Sequence, residues 1–118
     1  MQNEDNDLAE RTYQFGRRVL EFYATLPETK VANHLGFQLV RAGTSVGANY
    51  REARRARSKP EFIAKMGDCL KELDESAYWL RHLADSQLGD HKLRTWLQQE
   101  ADELIRIFVA SIKTARGD

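Results

Sequence analysis

The residues best suited to chemistry in this chain fall in one stretch, Arg41-Ala-Gly-Thr-Ser-Val-Gly-Ala-Asn-Tyr-Arg-Glu-Ala-Arg-Arg-Ala-Arg57. At helical spacing Ser45, Asn49 and Glu52 share one face and form a polar seam. Arg41, Arg51 and Arg55 share a second face, with Arg54 and Arg57 flanking it and Lys59 following at the turn. Gly36, Val40, Gly43 and Gly47 make a third, a smooth strip where another backbone can come close. Guanidinium groups suit planar, bidentate contact with phosphate, so the basic stripe reads as a surface for RNA or DNA. The competing reading pairs the same arginines with acids of the next helix or of a neighbouring subunit. Tyr50, Tyr78 and Trp79 offer stacking surfaces, although aromatics at such spacing also serve as ordinary packing.

The seam has a structural reading and a functional one. Asn49 falls within the apolar stripe of its helix, and burying its amide without partners costs on the order of 1–3 kcal/mol. Ser45, Asn49 and Glu52 are therefore expected to bond to one another or to a facing helix, where a buried Asn fixes register. The alternative is a small ligand pocket. The strip of Val40, Gly43 and Gly47 is assigned to close helix packing, including contact with a second subunit.

Catalytic signatures are missing. None of His34, His82 and His91 has a Glu three residues before it, as an inward di-iron pair requires. No Cys-x-x-Cys, phosphate loop, His-Glu-x-x-His or Gly-x-Ser-x-Gly occurs. The clusters Glu72, Asp74, Glu75 and Glu100, Asp102, Glu103 read as solvated helix faces. Cys69 lies in an apolar-periodic segment and reads as an inert core thiol. No enzyme activity, metal or cofactor is expected.

Composition narrows the setting further. The 118 residues carry 18 Lys+Arg against 18 Asp+Glu, so no bulk charge advertises a polyanionic partner. The distribution is uneven: residues 30–60 hold seven basic side chains and one acid, while residues 61–90 hold three basic and seven acidic. Such asymmetry favours an anionic partner or self-association through opposite patches. The acidic, polar N-terminus is unlike a signal peptide, and no apolar run approaches the ~20 residues of a membrane span. With a single cysteine, the expected setting is the reducing cytoplasm.

Four amphipathic segments must position these residues. The first runs from about Asp7 to Ala24, with Leu8, Thr12, Phe15, Val19 and Phe22 at alternating steps of four and three. Pro27 ends it. The second runs from Thr29 or Lys30 to about Arg57, with Leu35, Leu39, Ala42, Val46, Asn49, Ala53 and Ala56 as its core stripe. Ser58, Pro60 and Glu61 signal the start of a third helix, which carries Phe62, Met66, Leu70, Leu73, Ala77, Leu80 and Ala84 and stops near Gly89. Asp90 caps a fourth, with Leu93, Leu97, Ala101, Leu104, Phe108 and Ile112 inward. Residues 1–6 are expected to form a disordered tail and residues 7–116 one all-α domain, an antiparallel up-down-up-down four-helix bundle.

Three segments together resemble a known family: Arg41 to Ala53, then Ser58 with Glu61-Phe-Ile-Ala-Lys-Met66, then Leu70-Lys-Glu-Leu-Asp-Glu-Ser-Ala-Tyr-Trp-Leu80. They are similar to the bacterial four-helix bundle proteins also called 23S rRNA intervening-sequence proteins, over about residues 10–115. The resemblance implies an antiparallel bundle assembled as a homopentameric ring, with no established catalytic residues. It also implies a distant likeness to the accessory proteins of diversity-generating retroelements, basic pentameric barrels associated with nucleic acid and a reverse transcriptase. Many relatives have glycine where this chain has Ala53, so the second helix is expected to continue unbroken there. The basic and acidic segments are suited to meet across a ring-forming subunit interface, which would make the arginines structural and the ring a scaffold for a partner protein.

Overall fold

Side-chain oxygens start three of the four helices. In the computed structural model, which describes residues 4–117 and their side chains from residue 7, Thr29 Oγ1 accepts the Ala32 N–H at 3.1 Å to open α2 (Lys30–Arg54). Ser58 Oγ accepts the Glu61 N–H at 3.2 Å to open α3 (Lys59–Asp85). Pro60 sits in the first turn of that helix, where no helical donor is needed. Asp90 Oδ2 accepts the Leu93 N–H at 2.8 Å to open α4 (His91–Arg116). Each cap contributes about 1 kcal/mol. The first helix, α1, runs Glu4–Tyr23. Of the expected tail, residues 1–3 lie outside the described residues, and α1 opens at Glu4.

Helix α2 ends at Arg54, three residues before the expected Arg57. Glu61 accounts for the difference. Its Oε1 accepts the backbone N–H of Arg57 at 2.6 Å, so that donor serves the capping arrangement of α3 rather than a carbonyl of α2. Ala53 remains helical and buried.

Cross-helix partners fix the topology. Arg41 meets Glu75 while Glu52 meets Lys65, so α2 and α3 run antiparallel. Gly43 packs on Val19 and Gly47 on Thr12, which sets α1 antiparallel to α2. Arg11 meets Glu100 and Arg18 lies over Trp96, closing α4 against α1 in the same sense. The chain is an all-α, antiparallel, up-down-up-down four-helix bundle, with no strand among the described residues.

The core is built from Phe15, Val19 and Phe22 of α1, Leu39, Val46 and Tyr50 of α2, Met66, Leu73 and Leu80 of α3, and Leu97, Leu104 and Phe108 of α4. In α2 the inward stripe differs from the expected one. Asn49 is only half-buried, as are Leu35 and Ala56, and the positions beside them, Gly36 and Tyr50, are buried instead. From Val46 the next inward steps of four and three reach Tyr50 and Ala53, and Asn49 sits on the flank. Tyr50 fills that layer and packs edge-on against Phe108, with ring centroids 5.8 Å apart.

Candidate functional site

The smooth strip of α2 is occupied within the chain. A Cβ on Gly43 would lie 2.8 Å from Val19 Cγ2, and one on Gly47 would lie 3.3 Å from the Thr12 carbonyl. Val40 is half-buried against the core. Gly43 and Gly47 therefore let α1 lie close against α2 within the chain. A methyl at Gly43 would collide with the Val19 side chain, and one at Gly47 would press on the α1 backbone at Thr12 and Tyr13.

The polar seam does not converge. Ser45 Oγ donates to the Arg41 carbonyl of its own helix at 2.7 Å. Glu52 accepts from Lys65 Nζ of α3 at 2.7 Å, and that hydrogen bond holds the Lys65 ammonium above its usual range. Asn49 lies half-buried between them without bonding to either. The expected mutual network of Ser45, Asn49 and Glu52 is replaced by separate local contacts, because the seam faces the flank of α3 rather than the interior.

The basic stripe divides in two. Arg41 donates to the carboxylate of Glu75, stands 3.7 Å from Glu72 Oε1, and reaches Gln38 Oε1 at 3.3 Å. It serves the α2–α3 contact and leaves the proposed phosphate-binding set. The arginines beyond it are placed differently. Arg51, Arg54 and Arg55 line a groove of about 800 Å³ between α1 and α2, together with Arg17 of α1. Tyr13, Gly16, Leu20, Gly47 and Ala48 are among its other walls, and among the described residues no carboxylate lines it. Among the described residues, no ion pair engages Arg17, Arg51, Arg55 or Arg57. Arg57 and Lys59 lie exposed at the α2–α3 turn, outside the groove lining.

Arg17 and Tyr13 were not singled out from the sequence. The signal was present: Tyr13, Arg17 and Leu20, at i, i+4 and i+7, form an outward stripe on α1. The aromatics considered for stacking do not present a face there. Tyr50 reaches the groove lining but is buried in the core, and Tyr78 packs on Trp79 and His82 at the other end of the bundle from the arginines.

In the acid clusters Asp74, Asp102 and Glu103 are exposed as expected, while Glu72, Glu75 and Glu100 are half-buried. Glu100 takes two hydrogen bonds from Arg11, at 3.1 and 2.8 Å, and Glu103 takes one at 3.2 Å; these hold the guanidinium above its usual range. Glu72 and Glu75 flank Arg41, as described. Cys69 is buried, and burial pushes its thiol up to about 12, so it is not a nucleophile at neutral pH. Among the described residues no three His, Cys, Asp or Glu side chains gather to hold a metal, and no helix is long and apolar enough to cross a membrane.

The architecture has a solved counterpart. A protein of unknown function from the S23 ribosomal protein family of Bacteroides thetaiotaomicron superimposes with a TM-score of 0.85 at 30% identity, over 94% of this chain and 99% of that one. No curated protein matches the chain. The model of the family described as 23S rRNA-intervening sequence protein matches residues 4–110, spanning α1, α2, α3 and most of α4. A match that runs through all four helices, short only of the last turns of α4, and through every described residue of the arginine groove makes this chain a member of the 23S rRNA-intervening sequence protein family.

Proposed function

We propose that this chain is a non-enzymatic, homo-oligomeric helical bundle of the cytoplasm that binds the phosphate backbone of RNA or DNA through arginines of α2. The observation that carries this reading is the grouping of Arg51 and Arg55 with Arg17 around one groove whose lining, among the described residues, contains no carboxylate. Like charges held together at a surface without acids create a local positive potential, to which a polyanion is complementary. Arg57 and Lys59 extend that potential around the α2–α3 turn. Arg41 has no part in it.

Assembly strengthens the effect. One chain with a net charge of zero binds a polyanion weakly, whereas a ring of copies, a pentamer by the family resemblance, presents the cluster several times to one strand. Phosphate contacts then add, and each contributes about 0.7 to the salt slope for a single strand. Val31, Phe37 and Tyr78, each more than half exposed, supply apolar surface for copies to meet away from the groove.

A second reading has its own support. Gly16, Leu20 and Ala48 give the groove an apolar lining, which also fits a helix of another copy in a ring that scaffolds a partner protein. Size-exclusion chromatography with light scattering, with and without a mixed RNA pool, separates the two. An oligomer that shifts with RNA at low salt and not at high salt supports nucleic-acid binding. An oligomer that ignores RNA, and dissociates when Arg51 and Arg55 become Gln, assigns the arginines to the subunit interface.

A further inference from the structure

We infer that the α1–α2 groove is a single-strand site, in which unpaired nucleotides lie with phosphates on Arg17, Arg51 and Arg55 and a base stacked on Tyr13. This inference rests on the phosphate-binding reading above and adds to it the class of nucleic acid selected. Three observations carry it.

The first is shape. The arginines do not stand on a convex ridge, where a duplex would rest. They rim a concavity of about 800 Å³ sunk between two closely packed helices. A rigid duplex cannot enter a valley between adjacent helices, whereas a single strand can lay its backbone along one.

The second is the aromatic. Tyr13 lies in the groove lining and is 59% exposed, although a tyrosine of a bundle this size is free to bury its ring in the core, as Tyr50 does. A positively charged groove with an exposed aromatic is the combination that binds single strands, because every base offers a π-face and the phosphates follow the cations.

The third is the neighbourhood of that ring. Arg17 and Leu20 follow Tyr13 at steps of four and three on the outer face of α1, while Ala48 and Arg51 approach from α2. Small and apolar groups therefore flank the tyrosine and cations flank them in turn, so a base has an apolar seat within reach of phosphate contacts on both helices. Among the described residues, no ion pair occupies Arg17, Arg51 or Arg55.

The test compares fluorescence anisotropy of three labelled probes on the full chain at low salt. They are a single-stranded oligouridylate of about ten nucleotides, within the usual range of site sizes, its duplex with oligoadenylate, and an abasic strand of equal length. The expected order is oligouridylate tighter than both others. Tyr13→Ala, a substitution at an exposed position, is expected to weaken oligouridylate about tenfold or more, and Tyr13→Phe to retain it. Equal binding of all three probes, with no effect of Tyr13→Ala but a loss on Arg51→Gln with Arg55→Gln, overturns the single-strand site and leaves phosphate binding standing. Binding of no probe overturns both. Light scattering of Tyr13→Ala closes the remaining route: a fall from oligomer to monomer would assign the groove to a subunit contact and overturn the inference.

Discussion

Arg41 of α2 donates across the helix interface to the carboxylate of Glu75 on α3. Glu72, one turn before Glu75, places Oε1 3.7 Å from the same guanidinium. That oxygen is buried and has no hydrogen bond among the described residues, so the Arg41 guanidinium charge within ion-pair distance offsets its burial. The first arginine of the stripe thus holds two helices together, whereas among the described residues no ion pair engages Arg51, Arg55 or Arg57.

Arg41→Gln is therefore expected to cost stability and leave nucleic-acid affinity unchanged. The pair is partly exposed, so the loss should be about 1 kcal/mol, toward the upper end for exposed pairs because Glu72 is left less compensated. Urea denaturation measures the first quantity and anisotropy the second. A loss of affinity without loss of stability would return Arg41 to the binding surface.

Gly43 and Gly67 should respond oppositely to alanine. At Gly43 the new methyl meets Val19 at 2.8 Å, close to its branch point, so α1 has to move and stability should fall by about 1–3 kcal/mol. At Gly67 nothing lies within 4 Å of the new methyl, and the gain in helix propensity should raise stability by about 0.5–1 kcal/mol. Thermal melts of the two variants check the sign. Stabilisation by Gly43→Ala would contradict the close α1–α2 approach.

The boundaries of this fold were readable because local chemistry sets them: Ser58 and Asp90 cap as their residue types predict. The inward faces of α1 and α4 were readable too, since each carries one dominant apolar stripe. Helix α2 was harder. It packs on α1 through glycines and on α3 through a mixed face, so two stripes compete, and the reading slipped by one residue from Tyr50 to Asn49. The glycines announced a close approach without naming the helix that makes it. Half of the candidate site was hidden because Arg17 and Tyr13 belong to the helix before the one that carries the arginines they join, and only packing brings α1 beside α2.

Alkaline pH should single out Cys69. Burial raises its thiol from 9.0 to about 12 in the folded chain. The folded state therefore keeps a proton that the unfolded state releases, and the contribution is full below about pH 8.5 and is lost as pH rises toward 12. The stability advantage of the wild type over Cys69→Ala should shrink above pH 9, by up to about 1.4 kcal/mol per pH unit. Parallel denaturant melts at pH 8 and pH 10 measure it. A constant difference would mean that the thiol is more accessible than its burial implies.

Arg94 should matter to the α3–α4 turn. Its side chain is buried, and Nη1 donates to the Leu88 carbonyl at 2.6 Å and to the Gly89 carbonyl at 3.4 Å. Arg94→Ala leaves those acceptors without their donor and should cost about 1–3 kcal/mol. Hydrogen exchange in residues 86–90 should accelerate with it; unchanged protection there would show that the turn holds without the guanidinium.

The central claim is that Arg17, Arg51, Arg55 and Arg57, which no ion pair engages among the described residues, bind phosphate. Its most direct test is the salt dependence of oligouridylate affinity for the wild type and for the triple variant Arg51→Gln, Arg55→Gln, Arg57→Gln. The expected wild-type result is a linear fall of log affinity with log salt, at about 0.7 per phosphate contacted, with both affinity and slope reduced in the variant. Equal slopes in the two proteins, or affinity indifferent to salt, would contradict the claim.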